Sequence, residues 1–235
     1  MRLLDIPGPS KRVKPLVAIA VLTRNRPEML AAVLRQIADA RKTTQCVSYL
    51  MVWNNGEGAV PGQTHGVGHN VGQHVSMNRM IDEAMQAGAD YFLRIDDDCV
   101  FQSRNWLAKL VRLAERHKTI YGQPCVIAPF VHGLRFPPKA MGDVTISGKR
   151  CQVVPILGGI CRLMPMSHLR YWRFDERMPM GWSEASSYAR YCILTKMPML
   201  RCVNIEVAHG DPDIGSIDTA VEYEREMLKM TPYEL

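Results

Sequence analysis

The apolar residues of this chain occur in short continuous runs that alternate with segments of helical periodicity. The run from Val17 to Leu22 is apolar without interruption, a pattern typical of a strand buried on both faces of a parallel sheet. The segment from about Pro27 to Arg41 then repeats apolar residues at helical spacing, and its proline falls where the first turn of a helix tolerates one. The pattern therefore predicts a strand followed by a helix.

This alternation continues along the chain. Further strands are predicted at Val47 to Trp53, Tyr91 to Ile95, Cys125 to Phe130 and Leu200 to Val207, and further helices at about Val75 to Ala87, Asn105 to Lys118, Ser167 to Trp172 and Ser183 to Lys196. A hairpin is expected around Ser147 and Gly148, and an apolar segment runs from Gly159 to Met164. Strands that alternate with helices imply right-handed crossovers, so the predicted fold is α/β with a doubly wound sheet.

Length and composition indicate one globular domain with short extensions. The 235 residues are 47% hydrophobic, enough for a full core, and the length lies near the upper range for a single domain. A basic arm is predicted for residues 1–14, the main domain for 15–210 and a helical tail for 211–235.

Hydrophobicity, cysteine content and net charge indicate the cell compartment, the state of the thiols and the kind of binding partner. The sequence has no run of about 18 or more apolar residues and no apolar stretch near its start that resembles a signal peptide, so a cytoplasmic protein without a transmembrane segment is expected. The seven cysteines are scattered without a CxxC pair, which favours reduced thiols over disulfides or a zinc site. The net charge of +6 favours polyanionic partners such as nucleic acid, anionic glycolipid or nucleotide phosphates.

Polar motifs follow three predicted strands at the point where each strand ends. They are Thr23-Arg24-Asn25-Arg26, Asn54-Asn55 and Asp96-Asp97-Asp98. In doubly wound sheets ligands bind beyond the carboxyl ends of the strands, so the motifs are expected to converge on one edge. Adjacent carboxylates repel one another, which favours a divalent cation, and oxygen ligands suit Mg²⁺ or Mn²⁺ held partly by substrate phosphates. The alternative is a solvated acidic turn or a helix N-cap.

The order of these motifs resembles the family-2 glycosyltransferases of the GT-A fold, from about Pro15 to Gly210. The family's first strand and nucleotide-binding turn are similar to VAIAVLTRNRPEML, its second strand to MVWNNGE, its NxG helix start to HNVGQHVSMNRMIDEA and its DxD element to RIDDDCVF. Its acceptor-side stretch, in which a GG segment precedes FDE and an ED-type motif, is similar to GGICRLMPMSHLRYWRFDERMPMGWSEASSYAR. The resemblance implies a mixed, mostly parallel sheet flanked by helices, with a nucleotide-sugar half at 15–100 and an acceptor half at 101–210.

The resemblance also implies a donor site. The residues that it assigns to the nucleotide sugar are Thr23, Arg24, Asn25, Arg26, Asn54, Arg79, Asp96 and Asp97, and those that it assigns to a divalent cation, Mn²⁺ or Mg²⁺, are Asp98 and His209. Asn54 stands where the family frequently has a uracil-contacting aspartate, so the base preference is open. His209 has a structural alternative, in which the imidazole caps the end of a strand through hydrogen bonds.

Glu184 is the implied catalytic base, and the residues implied on the acceptor side are Gly158, Gly159 and Trp182. Inversion at an anomeric carbon requires a carboxylate that takes the acceptor proton on the face opposite the leaving diphosphate. The family usually has Glu-Asp here, whereas this chain has Glu184-Ala185, so either Glu184 takes the role or the motif aligns one residue away. A glutamate stabilised at a helix start and a tryptophan packed in the core are the structural alternatives.

The implied activity is the inverting, metal-dependent transfer of a sugar from a nucleotide-diphosphate donor, of UDP type, to an acceptor hydroxyl. Two acceptors are open: a glycan or glycolipid, and a hydroxylated base in DNA, as in phage-encoded enzymes that act in the host cytoplasm. A non-catalytic nucleotide-binding module and a sugar nucleotidyltransferase are alternatives, although TRNRPEML lacks the glycine-rich turn of the latter. Alanine at Asp98 or Glu184 is expected to nearly abolish transfer and leave the fold intact. The oligomeric state is open.

Overall fold

The computed structural model describes residues 14–134, 137–177 and 183–209. Its helices are α1 (Pro27–Thr43), α2 (Gln73–Gln86), α3 (Trp106–Tyr121), α4 (Met166–Leu169) and α5 (Ser183–Leu194). Its strands are β1 (Leu16–Thr23), β2 (Val47–Asn54), β3 (His65–Gly66), β4 (Tyr91–Asp96), β5 (Cys99–Phe101), β6 (Val126–His132), β7 (Gly142–Ile146), β8 (Lys149–Val153), β9 (Cys161–Pro165) and β10 (Met199–His209). The predicted basic arm, apart from Lys14, and the predicted tail at 211–235 lie outside the described residues.

One mixed sheet organises this part of the chain, with the strand order β3-β2-β1-β4-β9-β6-β10-β8-β7 and with β5 paired to β10. β1 pairs in parallel with β2 and β4, and β6 pairs in parallel with β10. β9 runs antiparallel between β4 and β6, so those two strands point the same way. The expectation of an α/β fold with a mixed, mostly parallel sheet is confirmed.

The sheet is buried on both faces because successive side chains of β1 point into two different cores. Val17, Ile19 and Val21 pack with α1 and α3 on one face, whereas Ala18 and Ala20 pack with α2 and α5 on the other. Burial on both sides explains the uninterrupted apolar run in the sequence. Within the three described ranges, none of the helices that cover these faces is long and apolar enough to cross a membrane.

Two short strands are absent from the sequence prediction. β3 has two residues and β5 has three, too few for an alternating pattern to show. β5 begins directly after the three aspartates and pairs antiparallel with β10, with Cys99 opposite His209. This pairing brings the end of β10 to the aspartates. The hairpin expected around Ser147 and Gly148 is present as β7 and β8.

His168 in α4 is a buried histidine whose pKa predicts an acid-sensitive fold. Its Nε2 lies 2.7 Å from Thr195 Oγ1, its Nδ1 lies 3.2 Å from the Tyr188 hydroxyl oxygen, and its ring stacks on Tyr191. Burial lowers the pKa of His168 to about 4, whereas a histidine in an unfolded chain titrates near ~6.5. Between these two pKa values the unfolded state binds more protons than the folded state. The contribution of neutral, buried His168 to the free energy of unfolding is therefore complete above about pH 6.5 and is lost as the pH falls towards 4.

Between about pH 7 and pH 4.5, the free energy of unfolding is expected to fall by about 2 kcal/mol more in the wild type than in a His168→Gln variant. Urea unfolding at both pH values measures the difference. His132→Gln is the control, because His132 is exposed and pairs with Glu206, and it should keep the wild-type pH dependence. An equal loss of stability in the wild type and in His168→Gln would contradict the burial of a neutral imidazole.

Candidate functional site

The carboxyl edge of the sheet brings three sequence motifs together through strand register. β1 and β2 align Thr23 with Asn54, and β1 and β4 align Leu22 with Asp96. Because these strands are parallel, the residues that follow them leave the sheet at the same edge. The structure therefore brings together the motifs that begin at Thr23, Asn54 and Asp96.

Asp97 and Asp98 both form an ion pair with the guanidinium of Arg26. Thr23 Oγ1 donates a 2.6 Å hydrogen bond to Asp97 Oδ2, and Arg26 Nη1 lies 3.2 Å from both Asp97 Oδ1 and Asp98 Oδ2. Both aspartates are only 5% exposed. Burial raises the pKa of Asp97 to about 6, and the Thr23 hydrogen bond and the Arg26 charge oppose that rise. Arg26 thus offsets the repulsion between the adjacent carboxylates.

Asp98 and His209 form the candidate metal centre. His209 Nε2 lies 3.4 Å from Asp98 Oδ2, because the β5–β10 pairing sets His209 beside Cys99. Asp98 Oδ1 is buried, and none of the described residues gives it a hydrogen bond. A buried acceptor of this kind costs free energy unless a donor or a cation reaches it.

These ligand atoms fit a divalent cation that completes its shell with oxygens from a bound phosphate. No group of three or more His, Cys, Asp or Glu side chains in the described ranges could hold a metal ion by itself. Mg²⁺ and Mn²⁺ do not require such a cage, since one or two carboxylates plus substrate phosphates commonly bind them. The aspartate and the imidazole would be the protein's share of the shell.

Asp96 is the most accessible of the three aspartates, with 26% of its side chain exposed. Its Oδ1 accepts a 3.0 Å hydrogen bond from Arg94 Nη2, and its backbone N–H donates to the Ile160 carbonyl at 2.8 Å. Burial raises the pKa of Asp96, and the Arg94 guanidinium opposes that rise. Asp96 can therefore meet a ligand at the edge of the sheet while Arg94 holds its orientation.

Glu184 lies in a buried ion cluster at the start of α5. Its Oε1 contacts Arg162 Nη2, and its Oε2 contacts Arg94 Nη1 and accepts a 3.1 Å hydrogen bond from Gln73 Nε2. The exposed fractions of the side chains are 4% for Arg94, 0% for Arg162 and 2% for Glu184. A charge-assisted hydrogen bond from Arg162 and an ion pair with Arg94 hold the carboxylate in one orientation. Arg94, Arg162 and Glu184 are referred to below as the Glu184 cluster.

The Gly158-Gly159 segment borders the Glu184 cluster. A Cβ added at Gly159 would lie 2.4 Å from Arg94 Nη1 and 2.7 Å from Glu184 Oε2, so a larger residue here would have to displace the guanidinium and the carboxylate. A Cβ at Gly158 would meet open space. The structure thus brings Gly159, predicted on the acceptor side, next to Glu184, the predicted base. Trp182, the remaining one, lies outside the described residues.

Asn54 closes the loop that follows β2. Its Oδ1 accepts a 2.8 Å hydrogen bond from the Gly56 N–H, and its Nδ2 donates a 2.8 Å hydrogen bond to the Gly58 carbonyl. Asn25, with a positive φ of 56°, rests against Gly56, where a Cβ would lie 2.0 Å from Asn25 Oδ1. The amide of Asn54 is therefore engaged within the loop, and its contact with a nucleotide base stays a prediction.

Arg24 and Arg79 are both exposed. Arg24 directly follows Thr23 at the edge of the sheet. Arg79 lies on α2, with its Cζ 5.6 Å from the ring centroid of Trp53 in β2. The described contacts thus place the Arg79 guanidinium over the ring of Trp53, and its contact with a nucleotide stays a prediction.

Arg94, Arg162 and Gln73 are site residues that the sequence analysis does not single out. A signal exists for the two arginines, because each interrupts an otherwise apolar strand, YFLRID and CRLMP, and a buried charge requires a partner. Gln73 begins α2, where a polar residue is ordinary. The sequence therefore indicates buried arginines but not the glutamate that they bind.

The chain has the GT-A fold of glycosyltransferases. It aligns with the crystal structure of GalNAc-T7 in complex with UDP, GalNAc and Mn²⁺, at a TM-score of 0.65 and 12% identity, over 90% of this chain and 48% of that one. It also aligns with the mannosyltransferase PcManGT from Pyrobaculum calidifontis in complex with GDP-Man and Mn²⁺, at a TM-score of 0.59 and 13% identity, over 91% of this chain and 62% of that one.

The likeness is one of fold, since it comes with little sequence identity. No family model matches the chain, and no curated protein matches its sequence. The chain spans 48% and 62% of the lengths of the two glycosyltransferase chains. Both structures hold Mn²⁺ together with a nucleotide or a sugar nucleotide.

Proposed function

We propose that this protein is an inverting glycosyltransferase that moves a sugar from a nucleotide-diphosphate donor, of UDP type, to an acceptor hydroxyl with the help of Mn²⁺ or Mg²⁺. The observation that carries the proposal is the buried Oδ1 of Asp98 without a hydrogen-bond partner among the described residues, beside His209 at the carboxyl edge of a GT-A sheet. The two glycosyltransferase structures, solved with Mn²⁺ and with UDP or GDP-Man, support the same class of donor.

On the donor side, Asp98 and His209 would hold the cation, which when bound stabilises the charge on the departing nucleoside diphosphate. Asp96 would receive hydroxyl groups of the ribose or the sugar, and Asp97 would assist through its fixed position beside Thr23. The planar guanidinium of Arg26 is suited to a phosphate. The residues proposed around the nucleoside are Thr23, Arg24, Asn25, Asn54 and Arg79.

On the acceptor side, Glu184 is proposed as the base, with Gly158, Gly159 and Trp182 around the acceptor. Glu184 Oε1 accepts a hydrogen bond from Arg162 Nη2, and Glu184 Oε2 accepts one from Gln73 Nε2. Each carboxylate oxygen therefore keeps a lone pair that could accept a proton. The Glu184 carboxylate also contacts two guanidiniums, which stabilise its charged form. This contact favours a second candidate function, a GT-A module that binds a nucleotide sugar without transferring it.

Donor hydrolysis tests the proposal. The protein is incubated with Mn²⁺ and a panel of UDP- and GDP-sugars, and release of the nucleoside diphosphate is measured with and without a chelator. We expect chelator-sensitive release from at least one donor, and faster release when the correct acceptor is added, either a glycan or glycolipid or a duplex DNA with a hydroxylated base. Binding of a donor without release would support the non-catalytic module, and the absence of both would refute the two candidates.

A further inference from the structure

We infer that Arg94 is a positioning residue that couples the donor site to Glu184 by holding Asp96 and Glu184 on one guanidinium. The inference rests on the proposed function, because it assigns the residue a role in the same site. Arg94 lies in the centre of the sheet, in β4, with 4% of its side chain exposed. Its Nη2 binds Asp96 Oδ1 and its Nη1 binds Glu184 Oε2.

The strand register explains why Glu184 belongs to the fold as well as to the site. Arg94 and Arg162 lie directly opposite each other on the antiparallel strands β4 and β9. Like charges at opposite positions destabilise a sheet, and buried charges require compensation. Glu184 places one oxygen on each guanidinium and so compensates the pair.

The two arginines differ in their remaining contacts. Arg162 lies over the Tyr188 ring at 4.9 Å and donates to the Leu157 carbonyl at 3.4 Å, so it ties Glu184 to the core. Arg94 instead donates to Asp96 at 3.0 Å. Among the described contacts of this pair, the link between Glu184 and a donor-site carboxylate therefore belongs to Arg94.

A guanidinium is suited to such a link because its donors form one rigid, planar fork. A Cβ on Gly159 would lie 2.4 Å from Arg94 Nη1, so the guanidinium occupies the space that a side chain at this position would need. Asp96 is the accessible end of the link and Glu184 is the buried end. A donor that engages Asp96 thus acts on the orientation of Glu184 without touching it.

The test compares Arg94→Lys with Arg162→Lys, each alone and combined with Glu184→Asp. Lysine keeps a positive charge near Glu184 but cannot span two carboxylates with a fixed fork. Arg162→Lys is the matched control, since Arg162 is as buried as Arg94 and binds Glu184 but has no described contact with Asp96. The measured quantity is the dissociation constant of a UDP- or GDP-sugar with Mn²⁺, and the melting temperature verifies that every variant folds.

Glu184→Asp is expected to weaken donor binding by about fivefold, although Glu184 is linked to Asp96 only through Arg94 among the described contacts. That effect should fall below about twofold in the Arg94→Lys background and persist in the Arg162→Lys background. An equal effect in both backgrounds, or none in the wild type, overturns the inference. A wild-type protein that binds a donor without turnover refutes the proposed transfer, while the same binding data still decide the coupling. A wild type that binds no donor overturns both.

Discussion

Replacement of Asp98 by asparagine is expected to lower Mn²⁺-dependent donor turnover by about a thousandfold, because a bound cation contributes several kcal/mol of charge stabilisation in the transition state. Asparagine keeps the shape of the side chain but removes the anionic ligand. Little stability should be lost, because the substitution relieves the repulsion from the neighbouring carboxylates and the amide oxygen can still accept the hydrogen bond from Arg26. The measurement is the rate of donor hydrolysis at saturating Mn²⁺, together with a melting curve.

Asp143→Asn is the matched control for this variant. Asp143 is an exposed aspartate on β7 that pairs with Arg150, far along the sheet order from β4. Its replacement should leave both turnover and the melting temperature near their wild-type values. Donor hydrolysis by Asp98→Asn at close to the wild-type rate would remove Asp98 from the metal centre.

Replacement of Glu184 by alanine is expected to lower the free energy of unfolding by about 3–5 kcal/mol, because it leaves two buried guanidiniums without their anion. This expectation corrects the prediction from sequence that alanine at this position spares the fold, since Arg94 and Arg162 are buried and oppose each other across two strands. Urea unfolding measures the change. Donor turnover should be lost as well, so an activity measurement alone does not separate the proposed catalytic role of Glu184 from its role in the fold.

Two further variants separate those roles. Glu184→Asp keeps the charge and should recover much of the stability, whereas its shorter side chain should still slow the transfer. Glu206→Ala removes an exposed glutamate that pairs with His132, and it should cost less than about 1 kcal/mol. If Glu184→Ala unfolds within about 1 kcal/mol of the wild type, the Glu184 cluster does not support the fold as described.

The sequence was sufficient for the parts of the fold that rest on local patterns. The β1 run and the α1 periodicity both appear within a few residues of their observed ends, because burial on two faces or on one helical stripe is recorded in consecutive side chains. The meeting of Thr23, Asn54 and Asp96 also follows, since parallel strands end at a common edge.

The Glu184 cluster could not be assembled from sequence, because it depends on register between distant segments. Arg94 and Arg162 are opposite only after β9 has paired antiparallel with β4, and no turn joins these strands to set that register. The engagement of Asn54 within its own loop depends likewise on the turn that Gly56 and Gly58 form. The position of His209 was expected from family resemblance, and the structure adds the β5–β10 pairing that brings it near Asp98.

The opposed arginines on β4 and β9 also constrain how this sequence can diverge. Loss of either arginine or of the glutamate would leave buried charge unbalanced, so single substitutions should be removed by selection even in a homologue without transferase activity. A homologue that lacks the glutamate is therefore expected to have replaced both arginines with apolar side chains. The glycine beside them would then be free to vary, because a Cβ at that position would no longer meet a guanidinium.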